Sequence, residues 1–98
     1  MVNTNKEGIK AVIEAAAIVW GITTADILGP RRTGPIAQAR QASMAVCYWQ
    51  GYGNLKSIAT AHNRDNHATV IHACNAVEAD TRRDGSYKAR VLLITANC

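Results

Sequence analysis

The stretch from Asn63 to Ala76 reads Asn-Arg-Asp-Asn-His-Ala-Thr-Val-Ile-His-Ala-Cys-Asn-Ala. A polar, hydrogen-bonding cluster runs straight into a helical apolar pattern. Side chains of this kind recognise rather than make bonds. Asn66 carries a donor and an acceptor on one planar amide, the pair that matches adenine in the major groove of DNA. His67 donates or accepts. Thr69 offers a hydroxyl and a methyl, and Ala68 a methyl alone, which suits the thymine methyl. Arg64, just before the helix, has the reach for a phosphate or a guanine. A helix whose first turn enters a groove while its side packs on a core needs this order of residues. The plainer alternative for His67 is a capping or exposed histidine, and for His72, in mid-helix, packing or a hydrogen bond to a neighbouring helix.

The elements that must hold this segment are helical. From Ile9 to Trp20 the apolar residues Ile9, Val12, Ile13, Ala16, Ala17 and Trp20 form one stripe at helical spacing, and Gly21 closes it. Met1 to Asn5 is polar and is expected to fray, as is the end of the domain up to residue 6. Thr23 or Thr24 caps a short second helix with Asp26 in its first turn, and Gly29-Pro30 stops it. Arg31, Arg32, Thr33 and Gly34 make a basic connection to a third helix opened by Pro35. That helix carries Ile36, Ala39, Ala42 or Ser43, Val46 and Trp49 on one side. Asn54 caps a fourth helix, with Leu55, Ile58 and Ala59 facing in. His62 to Asp65 reads as a turn, and a fifth helix is predicted over about 66–79, with Val70, Ala73, Cys74 and Val77 as its core face. A last helix is predicted over 87–95, within an extra C-terminal segment at 86–98. No strand alternation, repeat or low-complexity tract interrupts this order.

The chain has 98 residues, 48% hydrophobic and 18% charged, with no Phe. That is one small globular domain with a core of Ala, Ile, Val and Leu. A net charge of +4 favours an anionic partner. Cys47, Cys74 and Cys98 are widely spaced and odd in number, which reads as reduced thiols, and no membrane span or leader pattern opens the chain; a cytoplasmic protein is expected. His62, His67, His72 and Cys74 do not repeat a metal-binding spacing, so no metal and no cofactor is expected. No nucleophile, base and orienting acid stand together, so no enzyme is expected either. Arg82-Arg83, flanked by Asp80 and Asp84, is an ordinary solvated surface. Trp20, Tyr48 and Trp49 are read as core or interface residues.

The fourth and fifth helices with the turn between them make a helix-turn-helix, whose second helix lies in the major groove. His67-Ala68-Thr69-Val70-Ile71-His72-Ala73-Cys74 resembles the signature of the DNA-binding domain (domain IV) of the bacterial chromosomal replication initiator DnaA. Ala25-Asp26-Ile27-Leu28 followed by Arg31-Arg32, Ala39-Arg40-Gln41-Ala42 with Met44, and Leu55 with Ile58 are similar to further blocks of that family. The blocks keep their order without a gap from about Ile18 to Val77. The resemblance implies an all-α domain of five to six helices with a Trp-repressor-like helix-turn-helix, and double-stranded DNA as partner. It implies that Arg32, beside Arg31, enters the minor groove, and that Arg40, Gln41, Leu55 and Lys56 hold phosphates through side chains or backbone amides. It implies that His67, Ala68 and Thr69 read bases, with Asn66 where the family has an aspartate. Here the Arg64-Asp65 pair stands one residue early relative to His67, Ala68 replaces a threonine, and Pro30 and Gly34 stand where basic residues are common. The expected role is DNA binding in replication control or transcriptional regulation, without the ATPase, since no GxxxxGK[ST] motif is present. The alternative is a protein-interaction module of the same fold that modulates a replication or transcription partner.

Overall fold

The computed structural model describes residues 4–97. Six helices follow one another: α1 (Lys6–Trp20), α2 (Thr24–Leu28), α3 (Gly34–Trp49), α4 (Leu55–Ala61), α5 (Ala68–Arg83) and α6 (Gly85–Ala96). The domain is all-α, as expected. Each start has its local reason. Thr23 and Asp26 form a reciprocal capping box on α2, and Asn54 and Ser57 form another on α4. The hydrogen bond from the Thr23 backbone N–H, together with that from its side chain, holds the Asp26 carboxyl below its ordinary range. Gly21 ends α1 in the left-handed region at φ 68°, a conformation that a side chain would strain. Gly53 is required by space instead: a Cβ there would stand 2.5 Å from Ser57 Oγ, inside the capping box.

The predicted core stripe of α1 is buried in full, from Ile9 to Trp20. The α3 helix is central and packs against the five other helices. It is therefore buried nearly all round, with Met44, Ala45 and Cys47 inside as well as the predicted stripe. Both Ala42 and Ser43 are buried, whereas Trp49, at the end of the helix, is 51% exposed and leaves the stripe. Trp20 packs edge-on to Tyr87 at 5.7 Å between ring centroids, with Arg90 5.5 Å from the Trp20 ring centroid. The core thus holds two aromatic rings among its aliphatic side chains.

Three expectations change. Lys6, within the stretch expected to fray, opens α1: the Asn5 side chain accepts from the Gly8 amide, and the Asn5 backbone N–H donates to Tyr52 O at 2.7 Å, which ties the start of α1 to the α3–α4 loop. Residues 1–3, also expected to fray, lie outside the described residues, as does Cys98. The α5 helix starts at Ala68 rather than 66 and runs on to Arg83. The Thr69 and Val70 amides donate to Asn66 O and His67 O, so a tighter single turn leads into it. The α6 helix starts at Gly85, where Asp84 caps it through the Ser86 and Tyr87 amides.

Two buried polar groups join the elements. His62, read from sequence as a turn residue, is fully buried at the end of α4. Its Nδ1 lies 2.8 Å from Ile58 O and its Nε2 2.7 Å from Ser43 Oγ. A carbonyl only accepts, so Nδ1 carries the proton and Nε2 accepts from the serine hydroxyl. Burial lowers the His62 pKa to about 4, with a smaller push from the Arg64 and Arg40 charges.

The second is Arg40, 6% exposed. Its Nε donates to Ile27 O at 2.6 Å, and its Nη2 to Asp26 O and Gly29 O, each at 3.0 Å. Asn63 Nδ2 reaches Leu28 O at 3.2 Å, and Arg64 Nη2 reaches Gly29 O at 2.8 Å. The last carbonyls of α2 have no partner within the helix. Here they are caught by α3 on one side and by the α4–α5 turn on the other. Asn63 takes a left-handed φ of 59° in that turn, a conformation asparagine tolerates better than most residues.

Among the described residues no helix is long and apolar enough to cross a membrane. No group of three or more His, Cys, Asp and Glu among them is placed to hold a metal ion.

Two outcomes follow for stability. His62 is neutral when folded and takes its proton near pH 6.5 when unfolded, so its stabilisation is full above that pH. It is lost progressively as pH falls toward about 4, by about 3 kcal/mol in all. Urea unfolding at a series of pH values measures this loss, and an NMR titration that gave the His62 imidazole a midpoint near 6.5 would contradict a buried neutral ring. Arg40→Ala strands three carbonyl contacts, one buried and two part-buried, and should lower unfolding stability by about 2–4 kcal/mol. Arg40→Lys should recover little, because an ammonium lacks the flat fork that spans three acceptors. Thermal and urea denaturation of both variants checks this.

Candidate nucleic-acid interface

The α4–turn–α5 unit has the geometry of a helix-turn-helix, with residues 62–67 between the two helices. Beside the first turn of α5 lies a cleft of about 280 Å³. Its walls are Arg32 from the α2–α3 connection, Arg40 and Gln41 from α3, Arg64 from the α4–α5 turn, and Thr69 and His72 from α5. Ala37, Met44 and Ala73 complete the lining. Elements far apart in sequence therefore bring three guanidinium groups to one concave surface. Burial lowers the Arg40 pKa, and the charges of Arg64 and then Arg32 lower it further. That mutual repulsion is what an anion entering the cleft would relieve.

The sequence-predicted residues divide into three groups. Arg32, Arg40, Gln41, Arg64 and Thr69 meet at the cleft. Asn66 and His67 are exposed at the tip of the turn, and Ala68 is half-buried beside them. Asn66 Oδ1 accepts from the Ala68 amide at 2.9 Å, so it caps α5 while its NH₂ still faces outward as a donor. The second lone pair of Oδ1 and the NH₂ leave the two-point contact with adenine expected from sequence open to it. His67 makes no side-chain cap bond and is exposed.

Arg31, Leu55 and Lys56 stand apart from the cleft. Arg31 is exposed, and its charge helps to lower the Asp26 pKa. Leu55 is half-buried against the core. Lys56 is exposed on the rim of a different, mostly apolar hollow between α1 and α4, with Lys6 on the same rim. Of the basic residues expected to meet DNA, Arg32, Arg40 and Arg64 line this cleft and Lys56 lines the other hollow.

Arg40, expected to hold phosphate, also has a structural role. Its Nε and Nη2 are committed to backbone carbonyls, so it contributes charge to the cleft from a fixed position. Arg64 is partly committed too, with Nη1 donating to His62 O and Asn63 O. The cleft adds one residue that sequence reasoning placed in the packing. His72 is exposed and lines the cleft with Thr69, one helical turn before it. The three-residue spacing from Thr69 was the available signal. Arg82 and Arg83, read as plain surface, pair with Glu78 and Asp80 at the far end of α5.

Comparison with known proteins agrees with this geometry. A family model described as "Bacterial dnaA protein helix-turn-helix" matches residues 9–77, from the first buried residue of α1 into the second half of α5. The chain is similar to the chromosomal replication initiator protein DnaA of Aquifex aeolicus, 32% identical over 77 residues. It is similar also to the DnaA protein of Lachnoclostridium phytofermentans, 31% identical over 77 residues. Each match takes in 79% of this chain but only 19% and 17%, respectively, of the relative. The chain belongs to the helix-turn-helix family of the bacterial DnaA protein.

Proposed function

We propose that this chain binds double-stranded DNA in a sequence-specific manner, in the way of a DnaA box-binding domain. The observation that carries the reading is the convergence of Arg32, Arg40 and Arg64 on one cleft beside the first turn of α5. In this reading the first turn of α5 enters the major groove, with His67, Ala68 and Thr69 at the base edges and the Asn66 amide as a donor. Arg32, on the opposite wall, reaches into the adjacent minor groove. One sugar-phosphate strand separates two neighbouring grooves, and the cleft between α5 and the α2–α3 connection is where that strand lies. Arg40 and Arg64 supply positive charge at its floor, while Gln41 and His72 offer hydrogen bonds. Lys56 and the start of α4 meet the backbone at a second point. Phosphate contacts set affinity and register, and the tip of the turn sets preference.

The biological setting we infer is occupation of initiator boxes in replication or transcription control. The matched region is about a fifth of the initiators it resembles, and what those proteins do beyond this region is not carried over.

Fluorescence anisotropy with an initiator-box duplex and a scrambled duplex at several salt concentrations tests the reading. Affinity for both should fall steeply and log-linearly with salt, by a slope of about 0.9 for each phosphate neutralised. Thr69→Ala and His67→Ala should each erode box-over-scrambled discrimination by about 1–3 kcal/mol with little change in slope. Lys56→Ala should weaken both duplexes alike and flatten the slope by about one. Absence of binding to either duplex at low salt would overturn the reading, and co-purification of a stoichiometric protein with no duplex binding would favour an interaction module instead.

A further inference from the structure

The α6 helix is apolar on two opposite sides. Tyr87, Val91 and Ile94 face the core and are buried. On the opposite side Ala89, Leu92, Leu93 and Ala96 follow one another at steps of three, one and three, which is a single helical stripe. All four are exposed, Leu92 by 57% and Leu93 by 53%. A helix apolar on both sides is ordinarily covered on both. The domain covers only one.

The order of residues along the stripe names its occupant. Read outward from the point midway between Leu92 and Leu93, the stripe is the same in both directions: large then small. A two-fold interface demands a surface that complements itself. Two copies of α6 crossing antiparallel about that midpoint set Leu92 against Leu93 of the other copy, and Ala89 against Ala96. The alanines let the helix ends approach closely, and the leucines fill the centre.

The charges agree with this direction. The exposed Lys88 and Arg90 are the only charged residues of α6, and both lie in its first half. Arg90 sits against Trp20 of its own domain, but in an antiparallel pair each copy's Lys88 lies toward the other's C-terminal turn, where the helix dipole concentrates partial negative charge. A parallel pair would place the two Lys88 ammonium groups side by side.

We propose that α6 is a homodimerisation element and that a second copy of this chain covers the Ala89–Leu92–Leu93–Ala96 stripe in an antiparallel two-fold pair. The cleft lies at the start of α5 and α6 follows its end. With 16 residues in α5, the start of α6 is separated from the cleft along that axis by about 24 Å. None of the four stripe residues lines the cleft, and the pairing stands whether or not the cleft takes DNA.

Sedimentation equilibrium of the full chain under reducing conditions, from low micromolar to near-millimolar, tests the proposal. The apparent mass should rise from the monomer value of 10.5 kDa toward twice that. Leu92→Lys with Leu93→Lys should remain monomeric throughout, with an unchanged helical circular dichroism spectrum. Direction is tested in a Cys98→Ser background, which needs no disruptive charge: Ala89→Cys and Ala96→Cys chains, mixed and oxidised, should cross-link to each other in large excess over self-cross-linking. A monomeric wild type, a dimer that survives the lysines, or preferential self-cross-linking would each overturn it.

Discussion

The end of α2 is the constraint on which the interface depends. A helix of five residues cannot satisfy its own terminal carbonyls or hold its own orientation. Here the Asp26, Ile27, Leu28 and Gly29 carbonyls are taken by Arg40 of α3 and by Asn63 and Arg64 of the α4–α5 turn. One cluster of bonds thus fixes three elements against each other. The Arg32 connection leaves from one side of it, and the first turn of α5 follows from the other. The cleft is the gap between those two departures. Without the clamp, three guanidiniums would have no reason to gather on one surface, since they repel.

The same bonds explain why charge and structure cannot be separated at this surface. Arg40 is a structural residue by its hydrogen bonds and an electrostatic one by its neighbours. His62 lies just beneath, neutral, in part because the nearby Arg64 and Arg40 charges oppose a proton on it. Ser43 supports its ring from α3. The helix-turn-helix is therefore anchored to the central helix by polar bonds as well as by Ile58, Val70 and Ala73 in the core.

Much of this was legible in the sequence because it rests on local rules. The α1 stripe, the caps at Thr23 and Asn54, the stop at Gly21 and the core face of α5 follow from period and capping chemistry. The parts that were not legible are those where tertiary contacts decide. Nothing local marks Arg40 as buried, because its acceptors are 11 to 14 residues away. Nothing local marks His62, read as a turn residue, as buried or His72, read as mid-helix packing, as exposed, because the partner that buries His62, Ser43, is 19 residues away. Trp49 keeps the spacing of its stripe but lies where the stripe runs out of neighbours. Of the site, the residue types were readable and the grouping was not: Lys56 separates from the arginines because α4 presents it on another face.

The clamp also bears on the heat of ligand capture. Arg40 and Arg64 hold one geometry because backbone oxygens, not a bound anion, fix them. An incoming polyanion therefore finds their rotamers already selected and loses little side-chain freedom there. In the proposed complex, calorimetry would register displaced counterions and water more than ordering of these side chains.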